Sequence, residues 1–172
     1  SSHRRQRQMC IRDRIINIAL KNKPNFICLV PEKRKEITTE GGLNLSKKLN
    51  KIREIITKFK KKGIRTSVFI DPNLKNIKIA KELNVDCVEL HTGKISDLVK
   101  NKKDYNYEYK KIQKCCDLAK SISLEVHAGH GLDYKSTKIL SKIKEIEEFN
   151  IGHFIIGAVS YTHLRAHETR RY

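Results

Sequence analysis

No run of apolar residues in this chain approaches the roughly 20 needed to span a bilayer. No apolar stretch follows the Arg-rich start as a signal peptide requires. A membrane partner is therefore not expected, and cytoplasmic localisation is. No CxxC pair occurs among the five cysteines, Cys10, Cys28, Cys87, Cys115 and Cys116. Their number is odd, and neighbours such as Cys115 and Cys116 would point in different directions on a helix, so they read as reduced thiols rather than a disulfide framework. There is no GxGxxG after a strand-like run and no P-loop, which leaves a nucleotide-binding sheet without positive support. Neither HxH nor HExxH is present, so His91, His127, His130 and His153 do not form a recognised metal set, and no metal is expected.

What is abundant is positive charge. The formal net charge is +18 over 172 residues, from 37 Lys and Arg against 19 Asp and Glu. The charge is uneven in kind. Residues 1–14 and 158–172 together hold eight Arg and no Lys, whereas residues 15–157 hold 26 Lys and three Arg, namely Arg34, Arg53 and Arg65. A sharp change of basic residue at both boundaries marks 1–14 and 158–172 as adaptor-like segments foreign to the domain at 15–157, and both are set aside from fold reasoning. An Arg-rich arm for nucleic acid is the other reading of the first segment. Hydrophobic residues make up 38% of the chain, enough for a packed core.

Within 15–157, short apolar runs alternate with longer segments of helical period. Phe26–Val30, Thr66–Ile70, Asp86–His91, Ser123–Ala128 and Glu148–Gly152 read as strands bounded by Gly or Pro. Leu45, Leu49, Ile52, Ile55, Ile56 and Phe59 recur at three and four with Lys opposite, predicting an amphipathic helix stopped at Gly63. Further helices are expected through Leu74–Ala80, with Asp71 or Asn73 as N-cap, through Tyr109–Ala119 and through Ile139–Ile146, with the remainder of an earlier one at Ile15–Leu20. Strand–helix alternation implies a parallel sheet with right-handed crossovers. The expected class is α/β, an incomplete TIM (β/α)₈ barrel of about five parallel strands with flanking helices; a complete one usually takes roughly 250 residues.

In such a barrel the chemistry gathers at the C-terminal strand ends. Gly129-His130-Gly131 combines turn-permitting glycines with a side chain that titrates near neutrality, although a turn carrying a solvated histidine has the same sequence. Glu89 lies within the apolar run CVEL; alternation places it on one face with His91, either inward, where it needs a partner, or outward and paired with a helix lysine. Gly152-His153 follows the last strand, where barrels often hold phosphate, or is a strand end satisfied by backbone. Thr38 sits in the loop PEKRKEITTEGG, whose Lys33, Arg34 and Lys35 read best as a solvated charged loop.

The stretches LVPEKRKEITTEGGL (29–43), VFID (68–71), VELHTG (88–93), VHAGHGL (126–132) and NIGHFIIG (150–157) resemble successive motifs of the pyridoxine 5′-phosphate synthase family, in the family's order and at near-family spacing. The resemblance implies a cofactor-free and metal-free condensation of 1-deoxy-D-xylulose 5-phosphate with 3-amino-2-oxopropyl phosphate, giving pyridoxine 5′-phosphate, phosphate and water, by an enzyme that assembles as a homo-octamer. It makes His130 the proton donor and Glu89 a stabiliser of the transition state. It makes Gly131, Gly152 and His153 contacts to phosphorylated substrate and Thr38 a contact to deoxyxylulose phosphate. Other family residues, including a catalytic histidine and a glutamate base, lie upstream of the matching region, so the chain alone is expected to be an inactive, aggregation-prone fragment. The competing readings are a basic nucleic-acid-binding protein, disfavoured because no aromatics interleave the lysines, and another phosphate-binding barrel. The aldolase version of the latter lacks a strand-end lysine.

Overall fold

Short apolar runs alternate with longer amphipathic segments along most of the chain. In the computed structural model, residues 6–10, 13–31, 41–47 and 49–152 are described. The elements are β1 (Gln6–Cys10), α1 (Asp13–Asn22), β2 (Phe26–Val30), α2 (Leu49–Lys60), β3 (Arg65–Ile70), α3 (Leu74–Glu82), β4 (Cys87–His91), α4 (Gly93–Lys100), α5 (Asn106–Ser121), β5 (Glu125–Gly129), α6 (Tyr134–Leu140) and β6 (Ile146–Asn150). All five strand pairings are parallel, and the spatial order β1-β2-β3-β4-β5-β6 is the chain order. In a parallel sheet of sequential order, right-handed crossovers put the connecting helices on one face, as in a barrel. Among the described residues β1 and β6 do not pair, so the sheet is not closed.

The sheet is nonetheless strongly curled. Neighbouring strands lie about 4.8 Å apart, so β2 and β5 would be roughly 14 Å apart in a flat sheet. The rings of Phe26 on β2 and His127 on β5 are 5.8 Å apart. Arg65 on β3 likewise reaches across β4 to Glu125 on β5. The inner face is therefore concave and its side chains converge.

Alternation then sorts the residues. Ile27, Leu29, Val68, Ile70, Val88, Leu90, Val126 and Ala128 point outward and are buried beneath the helices in one core with Ile52, Ile55, Ile56, Phe59, Ile77, Ala80, Ile112, Cys116 and Ala119. Inward lie Cys28, Ser67, Phe69, Cys87, Glu89, His127 and Gly129. The register pairs Cys28 with Ser67, Phe69 with Glu89, and Glu89 with His127.

Four features depart from the sequence expectations. The helix expected through Ile139–Ile146 is α6, which ends at Leu140, and Ile146 opens β6 instead. A sixth strand, β1, falls in the segment set aside on composition and pairs with β2 from Gln6↔Phe26 to Cys10↔Val30. A short helix, α4, was not anticipated; its Ile95, Leu98 and Val99 carry helical spacing, but over only eight residues. The last strand ends at Asn150 rather than Gly152, because Asn150 pairs with Gly129, the last residue of β5. Asn73 rather than Asp71 caps α3, its side chain accepting from the Lys75 N–H at 2.8 Å.

Candidate active site

The C-terminal rim of the sheet gathers Asp71 after β3, His91 at the end of β4, and Gly129-His130-Gly131 at the end of β5. Glu89 stands one pleat below His91 on β4, facing inward and fully buried. Of the two alternatives for this residue the inward one holds. Its carboxylate lies directly over Gly129: a Cβ built on that glycine would sit 2.1 Å from Glu89 Oε1 and 3.0 Å from its Cδ. A side chain at 129 would therefore displace the acid. The acid also leaves its mark on Cys28, whose thiol burial and the neighbouring Glu89 charge push well above its ordinary value.

His130 has φ +77 and Gly131 φ +74, two successive left-handed residues. For a non-glycine residue that conformation costs about 1–3 kcal/mol and persists only where surroundings impose it. Thr92 imposes it here. Its N–H donates to the Gly129 carbonyl at 2.9 Å. Its buried hydroxyl lies 2.7 Å from the same oxygen and 2.8 Å from the His130 carbonyl. The turn presents the exposed His130 side chain at the rim. Asp133, which caps α6 in a reciprocal pair with Ser136, anchors the far side of the turn.

The His130 ring is 4.9 Å from that of His91 and 6.2 Å from Phe69. His91 Nδ1 lies 3.3 Å from Asp71 Oδ1. Asp71 also accepts from the Gly42 N–H at 2.9 Å. The bond from His91 holds the Asp71 carboxyl below its ordinary range, with the Gly42 N–H adding to it against the opposing effect of burial. Gly42 approaches so closely that an added Cβ would lie 2.2 Å from the Asp71 nitrogen. The end of the 29–43 motif is therefore pinned to the rim.

Of the residues singled out from sequence, Glu89, His130 and Gly131 share this rim. Gly152 follows β6, is exposed, and has open space around an added Cβ. Thr38 and His153 lie outside the described residues. Sequence reasoning left Thr92 without a role, and it placed Asp71 and His91 at the C-terminal strand ends without giving either a role in the site. The available signal was position: each stands at, or one residue beyond, a strand's C-terminal end.

Among the described residues one group of mixed donors converges elsewhere. Cys87, Glu125 and His127 bring their ligand atoms within 4.8 Å of one another, toward the N-terminal ends of the strands. These side chains already engage one another and Arg65: His127 Nε2 is 2.7 Å from Glu125 Oε1, Arg65 holds the other Glu125 oxygen, and burial pushes the Cys87 thiol up to about 12.

The chain matches the family model described as pyridoxal phosphate biosynthesis protein PdxJ over residues 4–166, a span that crosses both compositional boundaries. The pyridoxine 5′-phosphate synthase of Pelagibacter ubique is 69% identical over 156 residues, covering 91% of this chain and 65% of that protein. Those of Blochmanniella floridana and Zymomonas mobilis are 43% and 42% identical, covering 87% and 92% of this chain and 60% and 61% of theirs. The chain spans about three fifths of the length of these curated relatives. Among solved structures, coproporphyrinogen III oxidase from Escherichia coli overlaps 76% of this chain and 32% of its own at 14% identity, with a TM-score of 0.40.

Proposed function

The chain belongs to the family of pyridoxal phosphate biosynthesis protein PdxJ, and from that membership we propose that the complete enzyme is a pyridoxine 5′-phosphate synthase. It condenses 1-deoxy-D-xylulose 5-phosphate with 3-amino-2-oxopropyl phosphate, and this chain supplies one sector of the site. The observation that carries the reading is the buried Glu89 carboxylate packed on Gly129, beside the strained His130 turn, at the C-terminal rim of a curled parallel sheet. Carbonyl condensation with loss of phosphate needs positioned acids and bases.

In this reading His130 donates a proton to a departing or developing oxygen. Glu89, shielded from water, stabilises developing positive charge. Gly131 offers backbone N–H to a phosphate, as successive left-handed residues favour. Gly152, His153 and Thr38 complete the substrate contacts. Small phosphorylated substrates, a homo-octameric assembly and a cytoplasmic location go with the proposal. No described helix is long and apolar enough to cross a membrane.

Turnover of the two substrates by the complete gene product tests the proposal. Glu89→Gln and His130→Asn should each lower turnover by about 10²-fold or more, the usual contribution of a positioned proton-transfer group. Near-normal rates in both variants remove their roles. The Lys-to-Arg switch supports reading 1–14 and 158–172 as foreign to the domain, whereas the family match runs across both boundaries. Base composition around codons 14 and 157 decides between them.

A further inference from the structure

We propose that His91 is a further proton-transfer residue of this site, a general base through Nε2, with Asp71 as the positioning residue that fixes its tautomer. The inference rests on the synthase reading above and adds to it a group that the sequence comparison did not single out.

Three contacts hold the ring. Its Nδ1 faces Asp71 Oδ1 at 3.3 Å. Phe69 packs against it edge to face at 5.3 Å. Gly93 stands on the third side and leaves Nε2 unobstructed, since a Cβ there would come within 2.9 Å of it. Asp71 is itself held by the Gly42 N–H and by Asn76, whose side-chain amide donates to the Asp71 carbonyl at 3.2 Å. The carboxylate can only accept from the ring, because its low pKa keeps it ionised above the ordinary carboxylate range. The hydrogen therefore sits on Nδ1, and Nε2 carries a lone pair.

That lone pair is the informative feature. Nε2 is buried and has no hydrogen-bond partner among the described residues. Buried polar atoms are nearly always satisfied, so one left open at a strand's C-terminal end, beside His130, calls for an explanation. A histidine kept for structure would have both nitrogens occupied. One whose far nitrogen is tied to a carboxylate and whose near nitrogen is open is arranged to take a proton. In the proposed step Nε2 accepts a proton from a carbon adjacent to a substrate carbonyl. The C–H bond breaks, its electron pair forms the enolate, and the imidazolium is held by Asp71. His130, 4.9 Å away by ring centroids, serves the opposite transfer.

Two measurements test it. In this chain, nitrogen-15 correlation spectra of the imidazoles should show His91 protonated at Nδ1, and Asp71→Asn should convert it to a mixture. In the complete enzyme, His91→Asn should lower kcat by about 10²-fold or more with a smaller change in KM, and added imidazole should restore part of the activity of His91→Ala. A ring protonated at Nε2 in the unaltered chain, near-normal kcat in His91→Asn, or failure of imidazole to rescue His91→Ala each overturns the proposal. A complete wild-type enzyme that makes no pyridoxine 5′-phosphate instead sinks the synthase reading, while the tautomer result stands on its own.

Discussion

Gly129→Ala puts the geometry of the site under a direct load. The added methyl carbon would lie 2.1 Å from Glu89 Oε1, 3.0 Å from Glu89 Cδ and 3.1 Å from Asn150 Cβ. Ordinary non-bonded contact begins at roughly 3.5 Å, so the carboxylate must retreat by more than about 1 Å. Its surroundings are closed: Glu89 is fully buried, flanked in register by Phe69 and His127. Overpacking of this kind costs about 1–3 kcal/mol. A displacement near 1 Å of a reacting group costs on the order of 10²-fold in rate. The expected variant is therefore folded, modestly less stable by chemical denaturation, and about 10²-fold slower in the complete enzyme. Gly152→Ala is the control, since an added Cβ there meets nothing within 4 Å; any loss it shows reports contact with substrate rather than displacement of protein. Turnover within about twofold of wild type in Gly129→Ala, with an unchanged denaturation midpoint, would refute the placement of Glu89, since a 10²-fold loss corresponds to about 2.7 kcal/mol of barrier.

Three further outcomes follow from packing and charge. Phe59, wholly buried where α2 meets the sheet, should lose about 3–5 kcal/mol on truncation to Ala, measured by urea denaturation. Burial pushes the thiols of Cys87 and Cys116 up to about 12 and that of Cys115 to about 11, so all three should react slowly with thiol reagents at neutral pH until the chain is unfolded. Burial would raise the Glu125 carboxyl, but the hydrogen bonds from His127 and Arg65 outweigh it and hold the group below 4.5. A depressed folded-state pKa gives stability that is present above 4.5 and lost as pH falls through the folded value. Denaturation midpoints should decline in that window, and Glu125→Gln should flatten the decline.

The helix-facing half of the fold was legible because burial beneath helices demands continuous apolar runs at strand positions and a stripe at three and four on each helix. Ile52, Ile55, Ile56 and Phe59 show that stripe, and Gly63, with φ +70, stops the segment as expected. Leu45 belongs to the same stripe and is buried, yet it precedes the helix in a turn; periodicity marks which side chains enter the core, not where hydrogen bonding begins. Asp71 was read as a capping candidate because Asp before a helix commonly caps it. Its observed partners, His91 and the Gly42 N–H, lie on other strands and loops and leave no local trace. The role of Gly129 was half legible: a glycine in a histidine-flanked turn was evident, but the carboxylate above it is a contact across two strands.

The inner face obeys a different constraint. Barrel interiors are usually filled by branched apolar side chains. Here Arg65, Glu125 and His127 occupy the inner face toward the N-terminal strand ends, and His127 is the register partner of Glu89. Polar groups on an inner face are tolerated where each has a partner, and these three pair with one another. Glu89 thus stands above a polar floor instead of an apolar one. The same floor limits where it can go. With His127 beside it, Gly129 against its carboxylate and Phe69 on its other flank, Glu89 is held one pleat below the rim where His91 and His130 meet. The cluster of His91, His130 and Asp71 at the rim and the ion pairs below it are consequences of the same curvature, which brings β3 within reach of β5 and turns the inward residues of four strands toward one another.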